Sequence, residues 1–117
     1  MVNELEKLGH RYFETWQLVR AEELLTHVAK VAPTRDFAPF LLGEVYRRRG
    51  EWSQACVWYL EAYQRGRIDG LTVYRCGEGL FRTGDKDGAI AWFTHLIQTD
   101  PPGPRRDQAE LFLTQIR

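Results

Sequence analysis

Apolar residues along this chain recur three and four positions apart, the spacing of one face of an α-helix. The stretch "LGEVYRRRGEWSQACVWY", Leu42 to Tyr59, reads as helix but is punctuated by Gly43 and Gly50. A glycine inside a helix costs roughly 0.5–1 kcal/mol relative to alanine, so its presence points to a geometric need. The same punctuation returns 34 positions later in "CGEGLFRTGDKDGAIAWF", Cys76 to Phe93. Gly43 answers to Gly77, Gly50 to Gly84, Ala55 to Ala89 and Tyr59 to Phe93. One step backwards, the register meets Gly9, Tyr12, Ala21, Leu25 and Val28.

Three units follow, at about 2–35, 36–69 and 70–103, with a remainder over 104–117. Each is expected to be a pair of helices. In the second unit, helix A runs from an N-cap at Asp36 to Arg49, with Pro39 tolerated in the first turn. Gly50 makes the turn, and helix B runs from about Ser53 to Arg65. In the third, Asp69 is the expected N-cap, Gly84 makes the turn, and Asp85 or Asp87 opens helix B. The first unit places Trp16 where the others have glycine, so its turn lacks the usual residue. In the remainder, Ala109, Phe112, Leu113 and Ile116 line one face of a final helix. Gly9, Gly43 and Gly77 on helix A, with Ala21, Ala55 and Ala89 on helix B, are expected to let the two helices of each unit approach closely, with Tyr46, Tyr59, Leu80 and Phe93 filling the space on either side. No unit buries its apolar face alone, so neighbours stack and the last needs a cap.

The length suits one domain of 1–117, and the composition is that of an ordinary globular protein. Formal net charge is zero, which gives no reason to expect nucleic acid or an anionic membrane as partner. "MVNELEKLGH" lacks the apolar core of a signal peptide, and no run approaches the roughly 20 residues of a membrane span. Cys56 and Cys76 form no CxxC pair and fall inside helical patterns, so two buried, reduced thiols are expected. A cytoplasmic protein is the natural expectation.

The residues resemble the tetratricopeptide repeat, a 34-residue helix hairpin marked by Leu-Gly, Tyr, Ala, an aromatic and Pro. This chain supplies Leu8-Gly9, Tyr12, Ala21 and Pro33; Leu42-Gly43, Tyr46, Ala55 and Tyr59; then Gly77, Ala89, Phe93 and Pro101. It departs where Leu5, Pro39 and Val73 stand at the repeat's tryptophan position, and where Arg67 replaces proline. The resemblance implies an all-α fold of three such hairpins plus a C-terminal capping helix, wound as a right-handed solenoid. In such a fold the A helices line a concave groove.

By register the groove positions are Asn3, Glu6, His10, Phe13 and Glu14; Phe37, Phe40, Glu44, Arg47 and Arg48; and Leu71, Tyr74, Glu78, Phe81 and Arg82. The partner-binding set expected from these is Phe13, Phe37, Phe40, Glu44, Arg47, Tyr74, Glu78, Phe81 and Arg82. So many aromatics on a helix face mark an interaction surface, or else packing between repeats. Trp58 and Trp92, one period apart on the B helices, are candidates for a convex contact or for partial burial between units. Some tetratricopeptide proteins grip the acidic tail of heat-shock chaperones with Lys and Asn. The matching positions here carry Glu6, His10, Phe40, Glu44, Tyr74 and Glu78, whose carboxylates would repel that ligand.

No Ser/His/Asp set, nucleophile elbow or phosphate loop appears, and His10, His27 and His95 have no metal-ligand neighbours at useful spacing. Neither an enzyme nor a metal or other cofactor is expected. Arg47, Arg48 and Arg49 are flanked by Glu44 and Glu51 and read as a solvated helix end.

A narrower resemblance is to the class II chaperones of bacterial type III secretion, which guard hydrophobic translocators. It rests on the Gly-x-x-Asp link before the third helix A, on Arg75-Cys76-Gly77 followed by Gly84-Asp85 and Ala89-x-x-x-Phe93, and on the tail "RRDQAELFLTQIR". It departs in that this chain starts at its first repeat, whereas that group has an extra amino-terminal helical region used in dimerisation. The resemblance implies a cytoplasmic bacterial chaperone that holds an extended, Pro- and Leu-containing segment of a secretion substrate; the departure leaves the oligomeric state open, homodimer and heterodimer included. Chaperones of needle or export-apparatus partners, and a generic adaptor that tethers folded proteins, stay open beside it.

Overall fold

The computed structural model describes residues 1–116. Seven helices are found there: α1 (Val2–Glu14), α2 (Leu18–Val31), α3 (Phe37–Arg48), α4 (Trp52–Gln64), α5 (Gly70–Arg82), α6 (Lys86–Thr99) and α7 (Pro104–Ile116). No strand occurs among the described residues. The helices fall into two compact units, one ending at Arg67 and the other starting at Ile68. In the first, α1 packs on α2, α2 on α3, and α3 on α4. In the second, α6 packs on both α5 and α7. Position 117, counted in the expected final helix, lies outside the described residues.

The turns follow from backbone chemistry. Gly50 and Gly84 take φ of 76° and 91°, the left-handed region open to glycine. Gly50 N–H donates to the Arg47 carbonyl at 2.9 Å, and Glu51 N–H reaches back to Tyr46 at 2.9 Å. After α5, Gly84 N–H donates to Phe81 at 3.2 Å and Asp85 N–H to Leu80 at 2.9 Å. Such a pair satisfies carbonyls left over at a helix end. The first hairpin makes the same turn without glycine. Trp16 sits at φ 62°, the only non-glycine residue with positive φ among those described. Its N–H donates to Phe13 at 3.1 Å, and Gln17 N–H to Tyr12 at 2.8 Å. Left-handed backbone costs an L-residue roughly 1–2 kcal/mol, so the turn is imposed on Trp16.

Helix starts are less uniform than the sequence suggested. Asp69 and Asp85 cap α5 and α6, accepting from Thr72 N–H and Gly88 N–H, each at 2.9 Å. Asp36 occupies the N-cap of α3, but its side chain makes no capping bond. Its carboxylate accepts instead from Arg67 at 3.1 Å. Arg67, the departure from the repeat's proline, thus ties the end of the second hairpin to the start of its own helix A.

The glycines inside helix A lie under large side chains of helix B. A methyl group added at Gly43 would sit 2.6 Å from the Tyr59 ring, at Gly77 2.7 Å from Phe93, and at Gly9 2.8 Å from Leu25. Ala21, Ala55 and Ala89 are fully buried. In each hairpin the glycine's closest partner is the residue four positions beyond the buried alanine. Removing the Cβ lets a ring lie on the backbone. Tyr59, Phe93, Leu25 and Leu96 are among the largest fully buried side chains. Cys56 and Cys76 are free and buried. In the second unit, Phe112 of α7 stacks on Phe93 at 4.9 Å with an interplanar angle of 2°.

Gly43→Ala is expected to lose about 1–3 kcal/mol, the usual cost of overpacking, because its Cβ meets an immobile ring. Gly103, with open space around it, is the control. Urea midpoints of the two alanine variants check this; equal midpoints sink the role given to Gly43. Removing 104–117 should bare the Phe93 face and lead to aggregation. Size-exclusion chromatography showing a soluble monomer with unchanged melting would contradict it.

Candidate functional site

In the first unit, the candidate face is built on α1 and α3. Phe13, at the end of α1, is buried. The Arg48 guanidinium lies 3.5 Å over its ring and 4.2 Å over that of Trp16, and donates to the Phe13 carbonyl at 2.6 Å. Phe37, half-buried, meets His10 edge-on at 5.2 Å and carries Arg67 at 4.9 Å. Phe40 is buried, tilted against Tyr59 at 5.8 Å, with Arg67 above it at 4.7 Å. Cations stacked on aromatic faces contribute roughly 0.5–2 kcal/mol each, depending on desolvation.

Glu44 is a buried carboxylate beneath this face. It accepts from the Tyr59 hydroxyl at 2.6 Å and from Arg47 at 2.7 Å. Burial works against the charge on Arg47, but the hydrogen bond and charge of Glu44 outweigh it and hold the guanidinium more firmly protonated. Arg47 Nε is buried without a hydrogen-bond partner among the described residues. Glu6 is also buried, held by Arg35 at 2.7 and 3.2 Å; Arg35 also donates to Asn3 at 3.1 Å. Glu6, Arg35, Asp36 and Phe37 line an open cleft of about 220 Å³ with Thr34.

In the second unit, the face belongs to α5. Half-buried Tyr74 lies 6.0 Å from Phe93 and 6.2 Å from Phe112; Phe81 lies 4.9 Å from Phe112. Glu78 is buried and paired with Arg75 at 3.0 Å. Arg82 is exposed, and Leu71 is half-buried.

The nine expected site residues thus differ in what they offer. Phe13, Phe40, Glu44 and Glu78 are buried, Phe37, Arg47, Tyr74 and Phe81 are half-exposed, and Arg82 is open to solvent. Trp58 and Trp92, on α4 and α6, are both half-buried. Sequence reasoning missed Arg35, Arg67, Arg75 and Phe112. For Phe112 the signal existed in the apolar stripe of α7. The arginines come from loops or from other helix faces, where no periodicity marks them.

The back of the first unit carries a second polar cluster. Glu22 of α2 accepts from Tyr46 at 2.6 Å and from Arg49 at 2.6 Å, both at the end of α3. The Tyr46 hydrogen bond first, and Arg49 with it, holds the Glu22 carboxyl below its ordinary range. The same bond, with burial, pushes the Tyr46 phenol up to about 12.

No protein-family model matches the sequence, and no curated protein does either. Solved structures do match. The first tetratricopeptide domain of Spaghetti (RPAP3), bound to the HSP90 peptide SRMEEVD, superposes with a TM-score of 0.86 at 16% identity, covering 98% of this chain and 92% of that one. The Yersinia enterocolitica type III secretion chaperone SycD, in complex with a peptide of the translocator YopD, gives 0.84 at 13% identity over 97% and 90%. PcrH from Pseudomonas aeruginosa gives 0.79 at 18% identity over 98% and 90%. The fold is therefore that of the tetratricopeptide repeat, all-α and built of helix hairpins. Within that class it resembles, among others, the type III secretion translocator chaperones.

Tyr46→Phe should cost about 1 kcal/mol, the net worth of one hydrogen bond. The phenol is raised on folding, so its contribution is fully present below pH 10.0 and fades as pH climbs through about 12. Urea unfolding of parent and variant should show a gap that is constant near neutrality and closes at high pH. A gap that widens there would contradict the assignment.

Proposed function

We propose that this protein is a peptide-binding chaperone of the bacterial cytoplasm, holding an extended apolar segment of a secretion partner on its helix-A faces until export. The observation that carries this reading is that each unit presents half-exposed aromatic edges on its helix-A face, each backed by other rings or by stacked cations. Phe37 stands between His10 and Arg67, and Tyr74 and Phe81 rest against Phe112. Rigid aromatics presenting an edge are what dominates peptide and protein interfaces. The fold supports the reading, since the structure of SycD holds a YopD peptide. Zero net charge suits a protein partner better than nucleic acid or an anionic membrane surface, and the reading requires no cofactor.

A generic adaptor is the second reading, favoured by the half-buried Trp58 and Trp92 at equivalent places on α4 and α6. It would tether a folded partner through the B helices.

Phe40 and Phe13 are buried, so replacing them confuses folding with binding. Phe37→Ala and Phe81→Ala are the cleaner tests. Each is expected to weaken partner binding by about 2 kcal/mol, roughly thirtyfold, with the helical signal retained. Trp58→Ala should leave it unchanged. Co-purification and titration with the partner, beside a melting curve for each variant, measure this. Full binding by both phenylalanine variants with loss in Trp58→Ala transfers the function to the B helices.

A further inference from the structure

We propose that Arg48 and Trp16, where the end of α3 meets the α1–α2 turn, form a subsite for an acidic side chain of the bound segment. Trp16 lies outside the aromatic set expected from the sequence, and the inference rests on reading the chain as a peptide binder.

The first observation is the cost of Trp16. The second and third hairpins turn on Gly50 and Gly84, whereas the first forces a tryptophan into the same left-handed backbone. Its side chain is 62% exposed, so burial in the free chain does not repay that strain. What it does contact is Arg48, whose guanidinium carbon lies 4.2 Å from its ring centroid and 3.5 Å from that of Phe13.

The second observation is the charge of Arg48. Of three consecutive arginines, Arg47 is paired with Glu44 and Arg49 with Glu22. Arg48 forms no ion pair among the described residues; it feels the charge of Glu44, which is already paired with Arg47, and its hydrogen bond goes to the Phe13 carbonyl, from Nη1. A guanidinium carries five N–H donors, so most of its hydrogen-bonding capacity is left over. Burial first, and then the neighbouring charge of Arg47, weigh against its cation more than Glu44 favours it. The two rings fix the plane of the fork, which removes the ordering cost of seating a carboxylate on it. The methylene stem of a glutamate would run along the open indole.

The test uses the full chain, isotopically labelled, titrated with acetylated and amidated Leu-Pro-Glu-Pro-Leu and with its glutamine counterpart. The glutamate peptide should bind about tenfold more tightly at low salt and move the Trp16 indole N–H resonance. Arg48→Gln should abolish the preference. Trp16→Gly should also lose it, while melting at or above the parent temperature because the strain is gone. Equal binding of both peptides, with shifts at Phe37 and none at Trp16, overturns the subsite and leaves peptide binding standing. So does a preference that survives in Arg48→Gln, or a Trp16→Gly variant that melts several degrees lower. Failure of both peptides to bind at millimolar concentration overturns the two readings together.

Discussion

A ring packed against a glycine backbone is the contact on which this structure depends. Tyr59 covers Gly43 and Phe93 covers Gly77; Leu25 does the same at Gly9 with a branched chain. A helix axis can approach another this closely only where one Cβ is missing. The energy gained is that of burying a whole aromatic ring, which far exceeds the propensity lost at glycine. The helix pair is thereby fixed in distance and register. Residues one face away, such as Phe37 and Tyr74, are then held at the surface by packing already complete beneath them.

The periodic part of this arrangement was legible in the sequence. Glycines 34 residues apart, the Asp69 cap and the stripe on α7 each carry a local rule that needs no tertiary context. Two features obey a rule set elsewhere. Trp16 breaks the glycine requirement, yet the turn forms, because the flanking helices dictate the backbone and the side chain must follow. Asp36 stands in the capping position but gives its carboxylate to Arg67, since a guanidinium outcompetes a backbone amide. The site was readable as a helix face, and less so as a surface. Spacing told which residues share a side of α3; it could not tell that Phe40 would be covered by Arg67 and Tyr59.

Arginine supplies what the aromatic pattern lacks. Arg67 lies over Phe37 and Phe40, Arg48 over Phe13, and Arg35 closes on Glu6. Each joins residues far apart in the chain through a planar group that can stack and donate at once. Lysine could neutralise the same carboxylates but could not cover the rings. The faces are thus semi-polar surfaces, apolar in the plane of the rings and cationic at their edges.

Glu44 and Glu78 stand at equivalent places and are both buried, yet they are satisfied by different neighbours. Glu44 draws on the hydroxyl of Tyr59 and on Arg47, one turn ahead; Glu78 pairs with Arg75, one turn behind, and has Phe93 where Tyr59 would stand. A recombination event that exchanged only the B helices would put a phenylalanine under Glu44, stripping a buried carboxylate of a donor. Exchange of whole hairpins would carry each acid with its own complement. The heritable module in this chain is therefore the hairpin, and similarity between its helices overstates how freely they could be shuffled.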